Sequence, residues 1–560
     1  SGCINLASIT VDKDNQYYLS ENSVMFDKQK TILIAYPAKK SDASYQVPST
    51  VTSILASAFY ACENLVNISI PTGVTSIGSL AFYGCSSLES IVIPNGVTTI
   101  SANTFYGCGS LESMTLPFVG ESRTATSGSG LFGFIFGTTN YVGSVETNQY
   151  FSATQSTAYY IPSSLRTVII TDTRNLQYGA FYDCANLENI VIPNGVTSIS
   201  SNTFHGCGSL KSISLPFVGG SRTITSGNAM LGYIFGTTTY EGSTATNQYY
   251  TPTLFTTYYI PTTLSTVIIT GASMIQSGAF SGVSSLTSIS VPFIGASRTA
   301  TGNTALLGYI FGTINYTGST PTTQYYSSTQ FTTYYIPTNL ASVVISDPTT
   351  IPYGAFYNCS SLLSISISSS AESISENAFY NCFNLDNISL PFIGASRTAT
   401  EGSALFGYIF GTTYYLGSTA TTQYFNSHSS ITYFIPTLLR TVVITDGSEI
   451  PFGAFYNCSG VTSITLPSSV TKIGDSAFSD CSGITSITLP TGLTSLGSSA
   501  FFGCSGLSRV FIPQSVTTIG DNAFNGCINI TIYVKVNSKP IGWSIDWNST
   551  NRPVVWGAQA

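Results

Sequence analysis

Leu65-Val66-Asn67-Ile68-Ser69-Ile70-Pro71-Thr72-Gly73-Val74-Thr75-Ser76-Ile77-Gly78-Ser79-Leu80-Ala81-Phe82-Tyr83-Gly84-Cys85 is one copy of a repeating unit. Leu65, Ile68 and Ile70 predict a strand in which Ile68 and Ile70 share one face and Ser69 takes the other. Pro71 ends that strand, because proline has no N–H for a continuing ladder. Val74 and Ile77 form a second apolar pair. Ala81, Phe82 and Cys85, at i, i+1 and i+4, predict a short helical turn that returns the chain.

Working outward, the cysteines give the period. Cys62, Cys85 and Cys108 are 23 residues apart, as are Cys184 and Cys207, Cys359 and Cys382, and the run Cys458, Cys481, Cys504 and Cys527. The other gaps are 76 or twice 76, with Val283 at the midpoint of the double gap. A fixed period of this order marks a repeat architecture, and a solenoid grows by stacking coils without needing new cores. The expected fold is therefore α/β and β-dominant, one continuous solenoid over residues 1–560. It should carry about 17 parallel strands at roughly 4.8 Å per coil, on the order of 80 Å in all.

Four times a strand runs into something longer. The openings Leu116-Pro117-Phe118, Leu215-Pro216-Phe217, Val291-Pro292-Phe293 and Leu390-Pro391-Phe392 return at Pro162, Pro261, Pro337 and Pro436, 45 residues later in each case. Disordered loops tolerate length changes, so segments 117–162, 216–261, 292–337 and 391–436 are read as folded modules. Each carries Ser-Arg-Thr (Arg123, Arg222, Arg298, Arg397), Ile-Phe-Gly-Thr (Phe136, Phe235, Phe311, Phe410) and Gln-Tyr (Gln149-Tyr150, Gln248-Tyr249, Gln324-Tyr325, Gln423-Tyr424). Thr, Tyr, Phe and Gly at this density predict β-hairpins. The strand after each module has Ile169, Ile268, Val344 or Val443 where ordinary coils have Ser or Thr, as at Ser69, Thr115 and Ser214. Two readings stand: each module folds back over its own rung, or β-propensity alone selects Val and Ile, as at Val92 and Val191.

Composition narrows the function. Charged residues make up 8% of the chain, against about 25% in typical domains, and the net charge is −7. There is no basic cluster to hold nucleic acid. No run of about 18 apolar residues occurs, so no transmembrane helix is expected. Gly2-Cys3-Ile4-Asn5-Leu6-Ala7-Ser8-Ile9-Thr10-Val11 aligns with Gly84 to Ile93, so the chain is expected to begin inside a repeat, with any export signal upstream. The alternative reads Ser1-Gly2-Cys3 as a lipoprotein cleavage site.

The pattern Leu-x-x-Ile-x-Ile-Pro-x-x-Val-x-x-Ile-x-x-x-Ala-Phe-x-x-Cys resembles the BspA-like class of leucine-rich repeats, found in bacterial surface proteins. The resemblance covers nearly the whole chain. Residues 12–48, with Leu33-Ile34-Ala35-Tyr36-Pro37, are similar to that class's longer hairpin-bearing repeat. Residues 530–560, with Trp543, Trp547 and Trp556, are similar to its C-terminal cap. The resemblance implies an extracellular or bacterial cell-surface location and a role in adhesion.

Chemistry is poorly represented. No Cys-x-x-Cys pair offers a zinc site. A column that tolerates Val283 behaves as a small apolar site, which predicts buried free thiols. His205 and His428 occupy unrelated positions, which argues against a shared metal or a Ser-His-Asp arrangement. The acids Glu63, Glu89, Glu112, Glu188 and Asp386 are scattered, unlike a glycosidase pair. No enzyme activity, metal or cofactor is expected. The best ligand-binding candidates are Arg123, Arg222, Arg298 and Arg397 with Gln149, Gln248, Gln324, Gln423, Tyr150, Tyr249, Tyr325 and Tyr424. The same arginines also suit a structural role, stacked on rings and bonded to carbonyls. Function is read as a non-catalytic surface interaction protein with an extracellular protein partner. Glycan binding through the Tyr-rich modules and a passive stalk are the alternatives.

Overall fold

The computed structural model describes residues 3–558; the expected mid-repeat start and the alternative lipidation motif both involve Ser1 and Gly2, which lie outside the described residues, as do residues 559–560. The chain divides into two compact units, Ser1–Leu286 and Thr287–Ala560.

In the first unit, the strands Ser44–Gln46, Asn67–Ser69, Ser90–Val92, Ser113–Leu116, Thr167–Ile170, Asn189–Val191, Ser212–Leu215 and Thr266–Ile269 lie side by side in chain order. All pair in parallel, and equivalent repeat positions face each other: Asn67 opposes Ser90, Ser113 opposes Thr167, and Ser212 opposes Thr266. One register therefore stacks Ile68, Ile91, Met114, Val168, Ile190, Ile213 and Val267 into a buried column. The predicted second apolar pair forms two-residue strands, such as Ser53–Ile54 beside Ser76–Ile77. An antiparallel hairpin, Tyr18–Glu21 with Val24–Asp27, leads into Ile32–Ala35, which starts this second ladder.

The return arm is not the helical turn expected from Ala81, Phe82 and Cys85. Tyr83 N–H donates to Leu80 C=O (3.1 Å) and Cys85 N–H to Phe82 C=O (3.3 Å), so it is a chain of tight turns. Leu80 and Gly84 both sit at positive φ, 55° and 74°. A left-handed residue cannot propagate a right-handed helix. The alternation instead turns the remaining N–H groups outward along the stack: Phe82 donates to Thr104 C=O and Gly84 to Tyr106 C=O. Backbone groups are thus satisfied between coils rather than within one. Among the described residues no α-helix forms, and the only helical segments are short 3-10 turns inside the modules.

Side chains of the return arm stack in columns. Phe59, Phe82 and Phe105 lie 5.3 and 5.4 Å apart with nearly parallel rings. Each is fully buried, which contributes about 2–3 kcal/mol of transfer free energy per ring. Beside them run the cysteines, all free and, apart from Cys3, buried. They are more than small apolar fillers. The thiol of Cys85 donates to Phe59 C=O (3.1 Å), Cys108 to Phe82 C=O (3.1 Å) and Cys207 to Phe181 C=O (3.3 Å), always 26 residues back.

The second unit repeats the scheme. Its strands Ser288–Val291, Ser342–Ile345, Ser364–Ile367, Asn387–Leu390, Thr441–Ile444 and Ser463–Thr465 form a parallel ladder. Arg509–Ile512, Thr531–Val534 and Val554–Trp556 pair in parallel near its end. The phenylalanine column Phe455, Phe478, Phe501, Phe524 finishes against Trp547. Trp547 packs on Trp543, whose indole N–H donates to Val516 C=O (3.1 Å).

Candidate functional site

Three surfaces are built from the repeat: the strand face, the modules, and the corners where modules meet neighbouring coils. On the strand face two residues per strand point outward. In the first unit these are Asn67 and Ser69, Ser90 and Val92, Ser113 and Thr115, Thr167 and Ile169, Asn189 and Val191, Ser212 and Ser214, then Thr266 and Ile268. None is charged. Val92 is 56% and Val191 37% exposed, while Ile169 and Ile268 are half-buried. Ile169 stands in register between Thr115 and Val191. The module's glutamine seats its hairpin on the return arm rather than on this face (below), so the folding-back reading has no support from that contact.

Each module contains a seven-by-seven antiparallel hairpin, such as Ser144–Tyr150 with Ser156–Pro162. Equivalent ribbons run Ser243–Tyr249 with Phe255–Pro261, Ser319–Tyr325 with Phe331–Pro337, and Ser418–Tyr424 with Ser430–Pro436. Ahead of the first ribbon, the 3-10 turn Phe132–Ile135 re-enters the stack. Phe105 N–H donates to Ile135 C=O (3.0 Å), the bond that Phe82 makes to Thr104 in an ordinary coil. Phe136 then lies 6.3 Å from Phe105, and Phe132 bridges from Phe136 (5.4 Å) to Phe181 (5.1 Å). A module is therefore an enlarged coil that hands on the phenylalanine column, not a loop hung outside it.

The four glutamines of the candidate ligand set require a correction. Gln149, Gln248, Gln324 and Gln423 are fully buried. Gln149 Oε1 accepts from Gly133 N–H (2.6 Å), and its Nε2 donates to Tyr182 C=O (3.0 Å). The other three make the same Oε1 bond to Gly232, Gly308 and Gly407. A buried amide must be paired, and these fasten the hairpin to its 3-10 turn and to the next coil. They offer nothing to a ligand at the surface. Tyr150, Tyr325 and Tyr424 are half-buried against Tyr182, Tyr357 and Tyr456, about 5 Å between ring centres. Tyr249 instead packs on Phe255 at 4.9 Å.

The arginines sit at the corners. Arg123 Nε and Nη2 donate to the Asp172 carboxylate (3.0 and 2.7 Å). Its Nη1 donates to Val97 C=O and its Nη2 to Asn95 C=O, while the guanidinium lies 5.2 Å from the Phe118 ring centre. One side chain thus ties the preceding coil, the module and the following coil. Arg397 repeats the set with Asp446, Ala371 C=O, Ser369 C=O and Phe392. The Gly447 N–H, then the Arg397 guanidinium, hold the Asp446 carboxyl below its usual range. Arg298 pairs with Asp347 through both its carboxylate and its carbonyl. Arg222 is the exception: its acceptors are the carbonyls of Gly271, Asn194 and Pro216. Beside Arg123 and Arg397, clefts of about 250 and 310 Å³ open between the arginine loop and the following coil.

Other titratable groups are absorbed by packing. His205 takes a tyrosine's place in a ring stack, 4.3 Å from Tyr182 and 4.8 Å from Tyr240, with Nε2 at 3.0 Å from Thr238 Oγ1. His428 lies exposed in a hairpin turn beside Ser427. Burial pushes the thiols of Cys184, Cys207, Cys359, Cys382, Cys458 and Cys481 upward, away from the reactive thiolate. Among the described residues no group of three or more His, Cys, Asp or Glu side chains is placed to hold a metal. No described helix is long and apolar enough to cross a membrane.

A parallel ladder of 23-residue coils with a buried Leu-Ile-Ile strand and a Phe-Cys return arm defines a leucine-rich-repeat protein. The family described as BspA type leucine rich repeat region matches residues 37–133, 133–220, 327–407 and 425–545, more than half of the chain, and the protein belongs to that family. No curated protein matches the sequence. Among solved structures, it is similar to a leucine-rich repeat protein from Bacteroides ovatus, at 20% identity over 98% of this chain and all of that one, with a TM-score of 0.25. A leucine rich cell surface protein from Faecalibacterium prausnitzii aligns at 18% identity over 98% and 100% of the two chains, TM-score 0.19. The Toll–Spatzle complex of Drosophila aligns at 11% identity over 93% of this chain and 66% of that one, TM-score 0.42.

Proposed function

We propose that this is a non-catalytic, surface-displayed bacterial binding protein that takes an extracellular protein ligand across the strand face. The observation that carries the reading is the uncharged, two-column array running from Asn67 and Ser69 to Thr266 and Ile268 in the first unit. Burying charge at an interface carries a desolvation cost, and interface cores are depleted in charged residues. A face of hydroxyls, amides and aliphatics meets that condition over seven consecutive strands. The family membership supports the reading, since parallel repeat arrays present long, regular surfaces.

The test is capture of extracellular matrix proteins and mucin by the protein and by a variant with Ser69→Lys and Thr115→Lys. Both positions point away from the core, so the fold should survive. Loss of capture by the double variant, with unchanged circular dichroism, supports the reading. Unchanged capture by a well-folded double variant removes the strand face as the ligand site.

A second reading, carbohydrate binding, rests on two ring pairs at hairpin ends, Tyr249 with Phe255 and Tyr325 with Phe331. Phe255 and Phe331 are 45% and 54% exposed, and aromatic faces suit the apolar side of a sugar ring. A glycan array that stays silent across all probes removes it.

A further inference from the structure

The four module corners are internal copies of one constellation, and the second lacks the acidic residue that the other three share. The residue 49 positions after each arginine is Asp172, Gly271, Asp347 and Asp446. In three copies the guanidinium binds that aspartate's carboxylate. In the second copy the aspartate is Gly271. The ring beneath the cation is retained, with Phe217 at 5.6 Å from Arg222, against 5.2, 5.7 and 5.1 Å in the other copies. The carbonyl below is retained too: Arg222 Nη2 donates to Asn194 C=O as Arg123 Nη2 does to Asn95 C=O. The counter-charge is missing. Among the described residues no carboxylate lies within ion-pair distance of Arg222.

The space has adjusted to the loss. Nη1 of Arg123 and of Arg397 donates back to the preceding coil, at Val97 and Ala371. Nη1 of Arg222 has turned forward to Gly271 C=O. A Cβ built on Gly271 would fall 2.9 Å from Arg222 Nη1, so the guanidinium now occupies the room that an aspartate side chain takes in its sister copies. That guanidinium ends a long side chain, and its Nε–H has no hydrogen-bond partner among the described residues. The same edge, Nε with Nη2, grips the Asp172 carboxylate in the first copy.

We propose that the Arg222 corner is an open carboxylate-binding site that takes an Asp or Glu side chain from a partner polypeptide. The choice of occupant follows from the sister copies, where the group held is an aspartate side chain presented by neighbouring backbone. The charge-assisted, two-donor geometry is the kind arginine uses for carboxylates. The retained Phe217 and Asn194 contacts keep the guanidinium in place for the incoming group. The inference does not rest on the strand-face reading, because this corner lies outside the two outward columns, so either can fail alone.

The experiment follows arginine Nε–H signals by NMR in the full protein; with nine arginines in the chain the region is sparse. Arg222→Lys identifies the signal. Sodium acetate, which matches an aspartate side chain beyond its Cα, is titrated against sodium chloride at equal ionic strength. The expected result is a saturable acetate shift of the Arg222 signal, with the Arg123, Arg298 and Arg397 signals unmoved. Gly271→Asp should fill the site from within, as in the other three copies, and abolish the acetate response while keeping the fold. A capped Gly-Asp-Gly peptide should reproduce the shift and its Gly-Asn-Gly analogue should not. No acetate shift at Arg222, or an equal shift in Gly271→Asp, overturns the site. A shift with acetate but none with the Asp peptide overturns the polypeptide occupant.

Discussion

At the residue scale, the cysteine column shows how one atom can decide a repeat position. Within an uninterrupted run from Cys85 onward, each thiol donates to the phenylalanine carbonyl of the preceding coil, as Cys481 does to Phe455 C=O (2.9 Å). The coil that follows a module has a hairpin behind it. There Cys184, Cys359 and Cys458 accept from the module's glutamine instead, at 3.4–3.5 Å. Val283 occupies that same position after the second module, where Gln248 Nε2 donates to the carbonyls of Ala279 and Ser281. Valine is therefore tolerated where the thiol has no carbonyl to serve. Cys481→Val should cost about 1 kcal/mol or more, the value of a lost buried hydrogen bond plus imperfect fit. Cys359→Val should cost clearly less, since only a weak sulfur acceptor is lost. Native-state hydrogen exchange at the neighbouring coils measures both; equal costs would refute the distinction. The column's spacing was readable from sequence, but the thiol's role was not, because its partner lies 26 residues back and carries no side-chain signal of its own.

At the element scale, the module behaves as a coil with a ribbon attached. Gln149→Ala would leave Gly133 N–H and Tyr182 C=O without this partner, which costs about 1–3 kcal/mol for each group left buried and unpaired. Gly133→Ala should be worse still, because its Cβ would fall 2.4 Å from Tyr159 Cβ and 2.5 Å from the ring's Cγ. In both variants the protection of Ser144–Pro162 from exchange should fall while Asn67–Ser69 keeps its own. A deletion tests the larger claim. Removing residues 109–184, one 76-residue step, joins Cys108 to Ala185 and leaves the Phe-x-x-Cys spacing intact. The shortened chain should fold and unfold cooperatively. Removing only 117–162 takes Phe132 and Phe136 out of the column and should expose Phe105 and Phe181, read as dye binding and loss of the thermal transition. The strands and the constant module length were legible because apolar period and spacing are local properties of the chain. Return-arm geometry was not: the left-handed position is held by Leu80, Asn103 or Ser476, residue types with no common turn signature. The glutamines were placed with the ligand groups because their partners, 16 and 33 residues away, cannot be seen from a Gln-Tyr pair alone.

At the scale of the whole molecule, stability should fall on the alkaline side, and the slope should report how many coils unfold together. Burial raises the thiol pKa of Cys85, Cys184, Cys207, Cys359, Cys382, Cys458 and Cys481 in the folded protein. In an unfolded chain a thiol titrates near 8.5. Below that value both states hold the proton and pH has no effect through these groups. Above it the unfolded state loses protons that the native state keeps, so unfolding becomes more favourable with every further unit. Each thiol contributes up to about 1.4 kcal/mol per pH unit. Long repeat arrays need not unfold in one step, and only thiols in the segment that opens are counted. Each of these seven thiols lies in a different coil, so below the range near 10 where tyrosine titrates the proton release per unfolding event counts how many of those coils open. Denaturant unfolding under reductant, repeated between pH 7 and 10, should show a flat region followed by a decline with a slope of several thiols. Replacing Cys458 and Cys481, both raised by burial, with valine should remove two thiols' worth of slope from a transition that includes those coils and leave other transitions unchanged. A decline that starts below pH 8, or a slope unaffected by the double substitution, would assign the alkaline loss to other groups.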